Sequence, residues 1–170
     1  MIRKRVFGSA AGIVVVLSTL ISSVMAQELV EEDPLEAGLA AVDAGDLIGA
    51  VEFLRIAADE GSAEAQAWLG YIFDYSEDDE EAVAYYRAAA EQGNVRGIVG
   101  LAEMYSKGEG VEKDADEGRK HYIKAEDMGD AGAMRALIAA YERGGLGVEP
   151  DVGEAEYWKS RLAEVEANEE

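Results

Sequence analysis

Residues 61–93 read GSAEAQAWLGYIFDYSEDDEEAVAYYRAAAEQG, and the reading of this stretch decides the fold. Ala65, Leu69 and Phe73 recur at steps of four, then Asp78, Ala82, Tyr85 and Ala89 at steps of four, three and four. Such steps place residues on one helical face, whereas a strand would alternate in twos. Asp78 suits the capping position before the second helix, and Gly93 suits a left-handed residue after it. The stretch is a helix pair.

The pattern recurs on both sides. Asp46, Asp78, Asp114 and Asp151 open similar segments at spacings of 32, 36 and 37. Four residues after each lies Ala50, Ala82, Gly118 or Ala155, and seven after lies a ring: Phe53, Tyr85, His121 or Trp158. Eleven after come Ala57, Ala89, Ala125 and a departing Leu162; fifteen after come Gly61, Gly93, Gly129 and Glu166. Counting on from the glycines, the fourth residue is Ala65, Gly97 or Ala133. The eighth is Leu69, Leu101 or Leu137, and the twelfth is Phe73, Tyr105 or Tyr141. The spacing predicts helices over 35–44, 46–60, 63–75, 78–92, 95–106, 114–128, 131–143 and 151–167. One pair cannot bury its apolar face alone, so the pairs must stack. The expected fold is all-α, a right-handed α-solenoid of three and a half to four helix pairs filling residues 34–170.

The chain resembles the Sel-one-like repeat (SLR) family, a relative of the tetratricopeptide repeat. Ala65-x-x-x-Leu69-Gly70 and Tyr85-Tyr86-x-x-Ala89-Ala90-x-x-Gly93 carry the likeness. So do Tyr105-x-x-Gly108-x-Gly110-Val111-x-x-Asp114 and Gly147-Val148-x-x-Asp151. The resemblance implies protein–protein interaction rather than catalysis. Its exported members include regulators of envelope sensors and assembly factors for exported polysaccharide. Departures are local. The loop at Tyr75-Ser76-Glu77 lacks the glycine pattern and is shorter, and the helix from Leu35 to Ala44 is closer to a plain tetratricopeptide unit. Gly97 and Gly100 within one helix each cost it roughly 1 kcal/mol against Ala.

Before the repeats, Arg3, Lys4 and Arg5 precede an apolar run from Val6 to Val24, and Val24-Met25-Ala26 offers a cleavage site. Residues 1–26 are expected to be a secretory signal peptide, followed by an acidic linker over 27–33. Removing 26 of 170 residues leaves 144, with 36 acids against 12 bases and a net charge of −24. Such a charge repels nucleic acid and anionic membranes, which bind by pairing phosphate with Lys and Arg. No second apolar run approaches the roughly 20 residues of a membrane span. The chain has no Cys, hence no disulfide, thiolate zinc site or thiol nucleophile. Beyond the leader there is no Thr, one His and four Ser.

The candidate chemical motifs reduce to structure. His121 occupies the shared ring position and lacks metal-ligand partners at fixed spacing. Glu77-Asp78-Asp79-Glu80-Glu81 lacks the alternating ligands and central Gly of a calcium loop, and acids are favoured at a helix start. Gly108-x-Gly110 and Gly144-Gly145-x-Gly147 follow helices and lack the Lys and Ser/Thr of a phosphate loop. No carboxylate pair is set apart by an apolar surrounding that would raise its pKa. No catalytic, cofactor or metal residue is expected.

A binding surface is a different matter. In tetratricopeptide-like solenoids the first helix of each pair lines the concave face. With Leu69, Leu101 and Leu137 packed inward, the groove positions include Glu64, Ala67, Tyr71, Asp74 and Tyr75, then Arg96, Val99, Glu103, Ser106 and Lys107, then Arg135, Ala139, Glu142 and Arg143. The basic residues of these helices, Arg96, Lys107, Arg135 and Arg143, all fall on groove positions. The candidate binding residues are Tyr71, Tyr75, Arg96, Glu103, Lys107, Arg135 and Arg143, since aromatics and Arg dominate interface energetics. A partner segment bearing carboxylates and apolar side chains would fit the arginines. The sequence therefore points to an exported, periplasmic adaptor or regulator whose partner is another protein. Two other readings are a secreted polymer-cleaving enzyme with paired carboxylates and an acidic ion-binding envelope protein.

Overall fold

The computed structural model describes residues 33–168. The expected signal peptide and all of the linker but Asp33 lie outside the described residues. Eight helices follow: α1 (Pro34–Asp43), α2 (Leu47–Asp59), α3 (Ala63–Tyr75), α4 (Asp79–Glu91), α5 (Val95–Lys107), α6 (Ala115–Glu126), α7 (Ala131–Arg143) and α8 (Val152–Asn168). Among the described residues the β structure is a lone bridge between Gly145 and Val148, and no helix is long and apolar enough to cross a membrane. Every helix expected from the spacing is present. The aspartates that open the segments stand just before the helices, because a capping residue keeps a non-helical backbone. Asp46 Oδ1 accepts from Gly49 N at 3.0 Å, Asp114 Oδ1 from Glu117 N at 2.9 Å and Asp151 Oδ1 from Glu154 N at 3.1 Å. Asp78 makes no such side-chain bond.

The tight turns are built from two residues. Gly61 N donates to Ala58 O and Ser62 N to Ala57 O, so Gly61 closes α2 in a Schellman turn. Ser62 at once caps α3, its Oγ accepting from Ala65 N at 3.2 Å. The same hydrogen bonds recur at Gly45–Asp46, Gly93–Asn94 and Gly129–Asp130. They recur also at Glu77–Asp78, where Glu77 takes φ +62° in place of glycine. The short loop is thus the ordinary turn with the wrong residue in it. A side chain in the left-handed region costs roughly 1–2 kcal/mol, partly offset by the greater unfolded-state freedom of glycine. Glu77→Gly is expected to raise stability by about 1 kcal/mol in urea unfolding; a loss would mean that the Glu77 side chain holds something.

Consecutive helices pack side by side. In addition α1 touches α3, and α3 touches α5, past the helix between. α1, α3 and α5 are therefore the more closely spaced and form the concave side of a solenoid. Leu69, Leu101 and Leu137 are buried, with Leu54, Ile98, Met104 and Met134 among the largest enclosed side chains. The small residues mark close approaches. The Tyr86 ring of α4 lies against Gly70 of α3 and Gly100 of α5, where an added Cβ would stand 2.5 Å from the ring at either glycine. At Gly97 a Cβ would come within 2.9 Å of the Ala90 backbone nitrogen. The helix-propensity cost of both glycines is the condition for packing α5 against α4.

The ring position obeys one rule in the second and third pairs. Tyr85 stacks on Phe73 at 5.6 Å, and His121 stacks on Tyr105 at 5.8 Å in the next pair. Phe53 has no such partner, because α1 offers Ala41 where α3 offers Phe73, and Phe53 is left exposed. Near the last pair, Glu126 of α6 is 4% exposed and its Oε1 accepts from Arg161 Nε at 2.9 Å and Nη2 at 2.7 Å. Arg119 donates to the Leu146 carbonyl and pairs with Asp116, tying α6 to the α7–α8 loop.

Candidate protein-binding groove

Four of the inner helix positions of α3 form a stripe of Glu64, Trp68, Tyr71 and Tyr75, spaced by three or four. Trp68 and Tyr71 meet edge to face at 5.8 Å. The Arg96 guanidinium carbon, from α5, lies 3.8 Å from the centroid of the Trp68 ring. Val42 from the end of α1 and Leu47 from the start of α2 close the other side. Together with Tyr75 these residues line an open depression of about 540 Å³. Tyr71 is 44% exposed and Tyr75 71%, large values for aromatic rings. The Trp68 Nε1–H is buried and bonds to no acceptor, an arrangement that costs free energy unless something offsets it.

Next along the concave face is a charged cluster. Burial, followed by the charges of Asp74 and Glu103, drives the pKa of the Tyr86 hydroxyl well above the usual phenol range. Burial likewise raises the pKa of Asp74, against the attraction of Lys107 and with help from Glu109 and Asp79. Glu103 is raised for the same reason, with Lys107 opposing and Asp74 and Glu109 adding to burial. Lys107 lies 3.1 Å from Glu109 and 3.8 Å from Glu103. Partial burial works against its charge, but the Glu109 hydrogen bond and the carboxylates hold its pKa above the ordinary amine value. Two carboxylates share one ammonium group, and Asp74 feels its charge without pairing with it.

The expected site residues therefore separate. Tyr71, Tyr75 and Arg96 converge on the depression, and Glu103 and Lys107 belong to the charged cluster beside it. Arg135 pairs with Glu166 of α8 at 2.8 Å. Arg143 lines a different, smaller hollow with Tyr122 and Leu146. Ala67, expected on the groove, is fully buried; the true stripe is rotated by one residue, through Trp68. Trp68, Val42 and Leu47 were not among the expected residues. For Trp68 the signal was present, since it stands three before Tyr71 and seven before Tyr75.

His121 belongs to packing. Burial pulls its pKa below the usual value, against the pull of Glu117. Among the described residues no group of three His, Asp or Glu is placed to hold a metal ion.

Comparison with known proteins agrees with the architecture. Residues 35–62, 63–94, 96–130 and 133–164 each match the Sel1 repeat. Over 90 residues, 52% of this chain, the sequence is 39% identical to the rat protein DAP3-binding cell death enhancer 1 and 38% identical to its mouse counterpart. The chain spans 18% of the length of these relatives. Among solved structures, the Sel1 repeat protein from Oxalobacter formigenes superposes with a TM-score of 0.70 at 28% identity, over 77% of this chain and 55% of that one. The c5321 protective antigen of uropathogenic Escherichia coli, described as displaying an SLR fold, gives 0.70 at 29% identity over 77% and 30%. Sel1 repeats are in general scaffolds for protein–protein interaction. With four repeats in phase along eight helices, the chain belongs to the Sel1 repeat family.

Proposed function

We propose that this chain is a non-catalytic adaptor or regulator of the cell envelope, exported by its leader, that holds another protein on its concave face. The aromatic depression carries the reading. Trp68, Tyr71 and Tyr75 present rigid rings with polar edges, and Arg96 lies over the first; such groups supply contact area at low entropic cost. A relative whose name records binding to another protein supports the same class of role.

Tyr71→Ala with Tyr75→Ala is expected to weaken capture of a partner from an envelope extract tenfold or more, about 1.4 kcal/mol. Ile48→Ala with Ile56→Ala removes comparably exposed apolar side chains from the outer helix α2 and should leave capture unchanged. Loss with the outer pair alone would move binding to the convex face. Export is tested by the cellular mass, which should correspond to a chain beginning at Gln27.

The paired-carboxylate enzyme now has one candidate pair, Asp74 and Glu103, because burial raises both. Their sharing of Lys107 on an open face favours a binding role. Cleavage of envelope polymers by purified protein, lost on Glu103→Gln, would reverse that preference.

A further inference from the structure

We propose that the groove recognises a basic, apolar segment of its partner in extended conformation, with an apolar side chain in the depression and a Lys or Arg between Asp74 and Glu103. This rests on the concave-face reading and adds the chemistry of the occupant. It reverses the charge expected from the sequence, where the arginines called for carboxylates. In the folded chain three of those four cations already have company, and the fourth, Arg143, lines the separate hollow beside Leu146. Arg135 pairs with Glu166, Lys107 with Glu109 and Glu103, and the face of Arg96 lies on Trp68. What lacks an answer is negative charge. Glu103 and Glu109 share the Lys107 ammonium and Asp74 pairs with no cation among the described residues, on a chain of net charge −21.

Partly buried carboxylates raised by desolvation are disfavoured as ions, and a cation brought beside them recovers the lost solvation as direct charge-assisted hydrogen bonds. A ligand carrying that cation is favoured at little added desolvation cost, since folding has already imposed it. The geometry sets the spacing. By the repeat offset, Tyr71 on α3 and Glu103 on α5 hold equivalent places on adjoining inner helices, whose axes lie roughly 8–10 Å apart. In an extended segment every second side chain faces the same way at about 7 Å, and a lysine stem covers the remainder.

The probes are capped synthetic peptides: repeats of Ser-Leu-Ser-Lys, the same with Glu for Lys, and the same with Ser for Leu. Binding is followed by fluorescence anisotropy at physiological ionic strength. The Leu/Lys peptide is expected to bind at least tenfold more tightly than either other. Asp74→Asn with Glu103→Gln should weaken it tenfold or more, and these neutral variants do not threaten folding because the ionised forms are the disfavoured ones. Glu80→Gln with Glu81→Gln removes equal charge from the exposed start of α4 and should change binding less than twofold. Equal losses in the two charge variants, a Leu/Glu peptide bound as tightly, or no binding of the Leu/Lys peptide would overturn the proposal. Should Tyr71→Ala with Tyr75→Ala weaken binding while the Asp74/Glu103 variant does not, the groove stands and its charge preference fails. Should the tyrosine pair have no effect on a peptide that binds, the groove reading itself falls.

Discussion

Leu101→Ala is expected to destabilise the chain by about 2–5 kcal/mol, the range for deleting a buried leucine side chain where the surroundings relax incompletely. Leu101 is 4% exposed and belongs to one continuous apolar cluster running from Ala50 to Trp158. Its position in α5, in the third of four pairs, raises the stakes. In a stacked array each pair is supported by its neighbours, so damage to an internal pair weakens two interfaces at once. Glu112→Ala, in the exposed α5–α6 loop, should change stability by less than about 0.5 kcal/mol. Urea unfolding followed by circular dichroism checks both. A lowered midpoint with unchanged slope is the expected result for Leu101→Ala. A lowered slope would show that the array no longer unfolds as a unit. Equal effects of the two changes would contradict the repeat phase.

Arg161→Leu should destabilise the chain, and the reason is the carboxylate it leaves behind. Glu126 is almost wholly enclosed, and two Arg161 nitrogens converge on one of its oxygens. Removing one partner of a buried pair strands the other charge out of water; because Arg161 is partly in solvent, where water screens the pair, the loss is smaller than for a fully enclosed pair. Glu126→Leu alone removes the enclosed charge and should cost less. The double change Arg161→Leu with Glu126→Leu should recover most of the loss, since apolar replacement of a buried pair is often neutral. A thermal-unfolding cycle over the four proteins measures the coupling. If the double change is as unstable as Arg161→Leu, the arginine acts through packing of its stem rather than through Glu126.

The helices were legible because helical geometry prints itself at short range. The four-residue steps through Leu69 and Phe73, the capping aspartates and the terminal glycines are all decided within a few neighbours. The ring at position 121 was legible for the same reason: it stands where Tyr85 stands. The groove was legible only in part. Tyr71, Tyr75 and Arg96 could be placed by helical phase, but Ala67 and Trp68 are adjacent, and which one turns inward depends on how α1 and α5 flank α3. Arg135 meets Glu166, and Glu126 meets Arg161, across 31 and 35 residues of sequence. In a chain with 36 acidic residues, nothing local distinguishes an enclosed glutamate from a solvated one. Glycines 97 and 100 showed their cost in the sequence, whereas their benefit appears only with the Tyr86 ring beside them.

The two-residue turns also determine how such a chain can grow. Gly61–Ser62 and Gly93–Asn94 carry the same hydrogen bonds in the same order, so they are interchangeable couplings. Unequal crossing-over between the two would insert or remove one whole helix pair while leaving both joints intact and every later helix in register. The longer loops, where Asp114 N returns to Tyr105 O and Asp151 N to Tyr141 O, lie within pairs and differ by one residue in length. Length in this lineage can therefore change by whole pairs at the glycine joints, while new loop sequence is accommodated inside them.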